Sequence, residues 1–271
     1  MTQASVRATT VEGIFYPSDP AELEAEVARR LAESPVEPAT PVAVVAPHAA
    51  LEYAGDTIAA AFRAASGRRN ISNIVILAPI HRDPPPGFIL PESASYQCPL
   101  GDVRVDREKV EDLLGCGTVF TMNDIPHLEE HSIEVLLPFL RRVFPEAGIV
   151  PVLTGKAGRR SVLALSRALE LLFTPLIDRT LFVVSSNAAT AFPRGKGTVE
   201  EADRFLELAG ERRWKELLDE SDRGRISCCG SRALASVLAF GNIALTVRII
   251  ARSCSTDEAG GRAVHYAAVS M

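Results

Sequence analysis

His48 and His81 stand in matching contexts. Each follows the proline that ends an apolar run, VAVVAPH at 42–48 and IVILAPIH at 74–81. Neutral imidazole is the commonest metal ligand. Two such residues at equivalent strand ends can meet in space although they are distant in the chain. The bland alternative is two loop histidines with no shared task. A third apolar run, LFVV at 181–184, ends in Ser185, Ser186 and Asn187. Asn187, with Thr190 close behind, suits a substrate hydrogen bond better than a transition metal. Cys228 and Cys229 precede Gly230 at an expected helix start. A thiolate there is stabilised and is a good metal ligand, whereas the plainer reading is two small buried residues. Phe15 and Tyr53 are loop aromatics that either wall a pocket or join the core.

The segment HLEEH places His127, Glu130 and His131 in the H-x-x-E-H pattern of inverted zinc peptidases. That chemistry needs both imidazoles on one helix face. Pro126 and the turn residues Asn123 and Asp124 put the helix start near Glu129 or Ser132. His127 is then expected before the helix, with only His131 facing the pocket. His131 and Glu134, three apart, read as an acid–base couple or as a salt bridge at a helix start.

The apolar runs need a scaffold that buries them on both faces, which is the habit of parallel strands. A proline cannot donate to a ladder, so the first run should stop at Pro47. His48 then lies at the carboxyl end of a central strand, where open α/β sheets carry their ligand crevice. Asp19, Pro20 and Glu22 form a capping box with proline at the first helical position, and Leu23, Val27 and Leu31 continue it as an amphipathic helix over 20–33. Gly55 and Asp56 are expected to open an Ala-rich helix. RDPPPG at 82–87 is a loop that shapes the mouth of the crevice. Ile133, Leu136, Leu137, Leu140 and Val143 make a helical stripe within 126–144. GIVPVLT at 148–154 reads as an edge strand or a strand end because of Pro151. Further strands are expected at 244–251 and 264–269. Alternating strands and helices imply one three-layer α/β/α domain over 1–271, with a largely parallel or mixed sheet.

Composition narrows the function. A chain of 271 residues with 47% hydrophobic residues can bury a large core. A net charge of −5 argues against a nucleic-acid binder. No apolar run approaches the roughly 20 residues of a membrane helix, and the N-terminus lacks the apolar core of a signal peptide. The expected compartment is the cytoplasm. Five cysteines without a CxxC pair fit free thiols rather than a disulfide framework.

Taken together, GIFYPSDP, APHAALEYAG, APIH, PLGDVRVD, HLEEHSIEVLLPFL, VVSSN, CCG and VHYAAVS resemble the MEMO family nearly end to end. The family is named for a mediator of cell motility and includes AmmeMemoRadiSam system protein B. The resemblance implies a fold like the class III extradiol ring-cleaving dioxygenases, a pocket at the strand ends and, in some members, iron or copper. It implies His48, His81 and Cys229 as the metal ligands. It also implies radical-SAM system proteins as partners. The family pattern SSDxSHY departs here, because its Asp is Asn187 and its His is Thr190. That loss implies that iron, copper or zinc is held weakly or not at all.

The expected function is a non-haem metalloprotein with redox or oxygenase-type chemistry. His131 would act as the base, and Phe15, Tyr53 and Asn187 would contact a small molecule or peptide. The alternatives are a non-catalytic binding or scaffold protein on the same fold, and an inverted zinc peptidase.

Overall fold

The structure is a computed structural model that describes residues 5–191, 197–256 and 263–271. In chain order the strands are β1 (Val6–Arg7), β2 (Ala43–Ala46), β3 (Asn73–Pro79), β4 (Phe88–Leu90), β5 (Ser95–Tyr96), β6 (Val103–Arg104), β7 (Phe120–Met122), β8 (Gly148–Thr154), β9 (Thr180–Ser185), β10 (Ala189–Thr190), β11 (Arg248–Thr256) and β12 (Ala263–Ser270). The helices are α1 (Pro20–Glu33), α2 (Leu51–Ala65), α3 (Arg107–Gly115), α4 (Asp124–Glu129), α5 (Leu137–Val143), α6 (Arg159–Phe173), α7 (Val199–Gly210), α8 (Trp214–Asp222) and α9 (Ser231–Leu238).

Every residue of β2, β3, β8 and β9 is buried, as their unbroken apolar runs require. The four pair in parallel in the order β2-β9-β3-β8. Their carboxyl ends therefore share one edge. Antiparallel neighbours flank them, β12 beside β2 and β4 beside β8, so the sheet is mixed. Helices α1, α2 and α5 pack together in one layer, and α3 with α6–α9 make the other. This is the expected three-layer α/β/α arrangement. Phe182 on β9 lies between the rings of Phe173 and Phe240, at centroid distances of 5.9 and 5.1 Å. Among the described residues no helix is long and apolar enough to cross a membrane.

The N-cap of α1 forms as expected, with the Asp19 carboxylate accepting from the Glu22 N–H at 2.8 Å. Four expectations need correction. Helix α2 starts at Leu51 rather than at Gly55. Gly55 sits inside it, with the Arg30 guanidinium so close that a Cβ there would come within 2.7 Å of it. Strand β8 is internal, not an edge. On that flank, however, β4 pairs only with Leu153 and Thr154, so the missing N–H of Pro151 leaves no β4 residue unpaired. The last hairpin begins at Arg248, later than the apolar run suggests. Finally, the helix expected to start near Glu129 or Ser132 begins later, and a separate short helix precedes it. His127 lies within α4, Glu130 is extended (φ −100°, ψ 133°), and a 3-10 turn at Glu134–Leu136 leads into α5. The Glu130 carboxylate takes the N–H groups of His131 and Ser132 at 2.9 and 3.0 Å, which competes with the helix for those donors.

Candidate metal centre

β2 ends at Ala46, and Pro47 turns His48 onto the carboxyl edge of the sheet. The His48 side chain is buried, and its Nδ1 lies 2.6 Å from Ser185 Oγ at the end of β9. The Ser185 hydroxyl donates its single proton to the Ser132 carbonyl at 2.7 Å. It must therefore accept from His48 Nδ1, which leaves Nε2 as the ring nitrogen turned toward Cys229. Nε2 lies 3.2 Å from Cys229 Sγ.

His81 follows β3 by two residues. Its Nδ1 lies 2.9 Å from Glu130 Oε1, and its backbone N–H donates to Glu130 Oε2 at 2.7 Å. Burial would neutralise Glu130, but His81, His131 and the surrounding N–H donors hold its carboxyl down at about 2. The carboxylate is thus an acceptor for Nδ1, and His81 hydrogen-bonds Cys229 as well. Burial works against a charge on His81, yet the Cys229 thiolate and the Glu130 carboxylate push it up to about 10. Burial raises Cys229, and the two imidazoles more than reverse that, so its thiol lies well below its ordinary range.

His131 completes the group. Its ring stacks on His81 at 5.0 Å with planes 17° apart, and it stands 5.7 Å from His48. Phe15 meets its edge at 5.1 Å. Burial and then the neighbouring imidazole of His48 hold it down at about 4, so His131 is neutral at physiological pH. One ring nitrogen each from His48, His81 and His131 lie within 4.8 Å of one another, which places the three to hold a metal ion.

Cys229 reaches this point because Gly230 lets its loop press on β9. A Cβ on Gly230 would lie 2.5 Å from the Ser185 carbonyl oxygen. The Asn187 N–H donates to Cys229 Sγ at 3.1 Å, and Asn187 Oδ1 accepts from the His48 N–H at 3.3 Å. Thr190 lies on β10, and its N–H donates to Ser227 Oγ at 3.0 Å. A cleft of about 940 Å³ opens over these groups. Phe15, His48, Tyr53, His81, His131, Asn187, Thr190 and Cys229 all line it.

His127 and Glu134 stand apart. The His127 ring is buried, donating Nε2–H to the Ile89 carbonyl at 3.1 Å and facing the Tyr96 hydroxyl at 2.6 Å through Nδ1. HLEEH therefore supplies no histidine pair to a metal. His127 is inside α4, not before it, and His131 lies beyond the helix end. Glu134 turns its hydrogen bonds away from His131. It is buried against Arg7 and accepts from Tyr16 Oη at 2.7 Å and the Thr10 and Val11 N–H groups at 3.0 Å. The supporting roles of Glu130 and Ser185 escape a linear reading, since each acts on a histidine 49 or 137 residues away.

The family described as "Memo-like protein" matches residues 7–270. The chain belongs to the Memo-like family. A MEMO1 family protein of Thermotoga neapolitana is 32% identical over 94% of this chain and 95% of its own. A MEMO1 family protein of Thermoplasma volcanium is 28% identical over 86% of this chain and 85% of its own. A solved structure of an uncharacterized protein from Escherichia coli K12 covers 73% of this chain and 84% of its own, at 13% identity and a TM-score of 0.47. The Memo-like chain thus carries a cleft whose donors are three imidazoles and one thiol. Such borderline-soft donors suit iron, copper or zinc rather than magnesium or calcium.

Proposed function

We propose that this Memo-like protein, acting as one domain over 1–271, is a non-haem metalloprotein whose cleft serves redox or oxygenase-type chemistry. The observation that carries the reading is the convergence of His48, His81, His131 and Cys229, with the Nδ1 atoms of His48 and His81 turned away onto Ser185 and Glu130. Histidine ligands are oriented by partners of this kind. His48, His81 and Cys229 would hold the ion, iron first and copper or zinc next. A bound iron or copper ion would supply one-electron chemistry that side chains alone lack.

The protein's own groups do the rest. His131, neutral at physiological pH, is the base that accepts a proton from a ligand in the cleft. Phe15 and Tyr53 wall the ligand, and Asn187 orients it by a hydrogen bond. Asn187 carries no charge where the family pattern has an Asp, and Thr190 no imidazole where it has a His, so the ion is held weakly.

Cobalt(II) titration tests the assignment. Binding should produce a thiolate-to-cobalt charge-transfer band in the wild type that Cys229→Ser abolishes. His131→Ala should keep the band. A band unchanged in Cys229→Ser would overturn the ligand set, and loss of cobalt in His131→Ala would make His131 a ligand instead of a base.

A further inference from the structure

The RDPPPG loop has no part in the metal reading, yet its Arg82 lines the cleft directly after His81. The loop is built to stay in place. Asp83 has φ 40°, in the left-handed region that Asp adopts more readily than most non-glycine residues. Three prolines follow, each with φ locked by its ring. Lys156 N–H donates to the Pro85 carbonyl at 2.7 Å, and Gly87 N–H to the Lys156 carbonyl at 3.0 Å. The loop lies so close to the end of β8 that a Cβ on Gly155 would sit 1.9 Å from the Pro85 oxygen. The backbone that carries Arg82 is thus stapled at the cleft mouth.

The charge inventory of the cleft wall singles out the same residue. Asp222 also lines the cleft, but its Oδ1 accepts from Arg232 at 2.6 Å. Ser221 pairs with Ser231 at 2.9 Å and Tyr266 with Ser255 at 2.7 Å, while the Ser227 hydroxyl donates to Glu201. Among the described residues, Arg82 has neither an ion-pair nor a hydrogen-bond partner. A guanidinium fork matches the geometry of carboxylate and phosphate oxygens. The same cleft wall carries the apolar side chains of Phe15, Ile80, Ile226 and Val264.

We propose that Arg82 makes the cleft mouth an anion-recognition subsite, and that the ligand is a small amphipathic organic anion, an oxyanion carried on an apolar body. This deepens the reading of the cleft as a ligand site and names the class of molecule that it takes.

Calorimetric titration of the full chain, stripped of metal by a chelator, separates this subsite from the metal site. The probes are benzoate and phenyl phosphate, with neutral benzamide as the isosteric control. The wild type should bind at least one of the two anions about tenfold tighter than benzamide, the scale of one charge-assisted contact. The tighter anion identifies the headgroup. Arg82→Ala should erase the preference at an unchanged unfolding midpoint, and Arg82→Lys should restore only part of it. Equal binding of anions and benzamide by the wild type would overturn the proposal, as would a preference that survives in Arg82→Ala. His81→Ala serves the metal reading, since loss of metal binding there, with the anion preference intact, shows that the two claims stand or fall separately.

Discussion

Glu130 supports two of the three imidazoles through one carboxylate. It accepts from His81 Nδ1, and its Oε1 lies 3.2 Å from His131 Nδ1. Removing such a partner commonly weakens metal binding about 10–100-fold. Glu130→Gln should do so here, measured as the cobalt affinity, with a fall of less than threefold contradicting the role. The converse change concerns Asn187 and Thr190. Asn187 keeps the shape of an Asp and accepts the His48 N–H, but contributes no Coulomb attraction to a cation. Asn187→Asp with Thr190→His should raise iron or zinc affinity by about tenfold. Calorimetry showing no gain in the double variant would favour a site already complete with its own ligands. His127 gives a prediction about pH. Burial holds it down at about 4, against 6.5 for an ordinary histidine. Between those values the unfolded chain binds more protons than the folded one, so stability falls as pH drops from about 6.5 to about 4. His131 shifts in the same direction, and His81, held up near 10, contributes stability that is lost as pH rises above about 6.5. Comparison with His127→Gln isolates the first effect. The variant should lose roughly 1–2 kcal/mol less than the wild type between pH 7 and pH 5 in urea unfolding. Equal losses would show that His127 does not titrate in this window.

At the scale of elements, the N-terminal segment is held by one buried pair. Arg7 on β1 bonds Glu134 and the carbonyls of His127 and Glu130, while Glu134 anchors the residues leading to Phe15. Removing one member leaves an unpaired buried charge, at about 3–5 kcal/mol. Arg7→Met should lose that much in urea unfolding, and a loss under 1 kcal/mol would show that the pair contributes little. Phe182→Ala, which empties a site between two other rings, should cost about 3–5 kcal/mol by the same assay. Arg7 also shows why some elements were illegible in the sequence. The runs of β2, β3 and β9 and the N-cap of α1 are local signals, so they could be read directly. Strands β1 and β5 are two residues long, too short for a periodic pattern. The break at Glu130 depends on a carboxylate bonding its own backbone, and apolar periodicity through 133–143 hides it. Pro151 signalled an edge because the reading assumed a ladder on both flanks, and β4 covers only part of one.

At the scale of the molecule, the parallel order β2-β9-β3-β8 brings the loops after β2, β3 and β9 to one edge. That topology explains how His48 and His81, 33 positions apart in the chain, come to stand at 5.1 Å. The matching strand-proline-histidine contexts made this pair legible. Cys229 was legible only through the family resemblance, because nothing in CCG tells that Gly230 will press it against β9. His131 was read as a base beside the pocket, and its place within reach of the same ion depends on the break after α4. The central claim is that these side chains form one metal site. Anaerobic calorimetric titration with iron(II) tests it most directly, on the wild type and on His48→Ala, His81→Ala and Cys229→Ser. The account predicts one equivalent bound by the wild type and an affinity at least about tenfold lower in each variant. Binding of iron that is unchanged in all three variants, or no binding by the wild type, would contradict it.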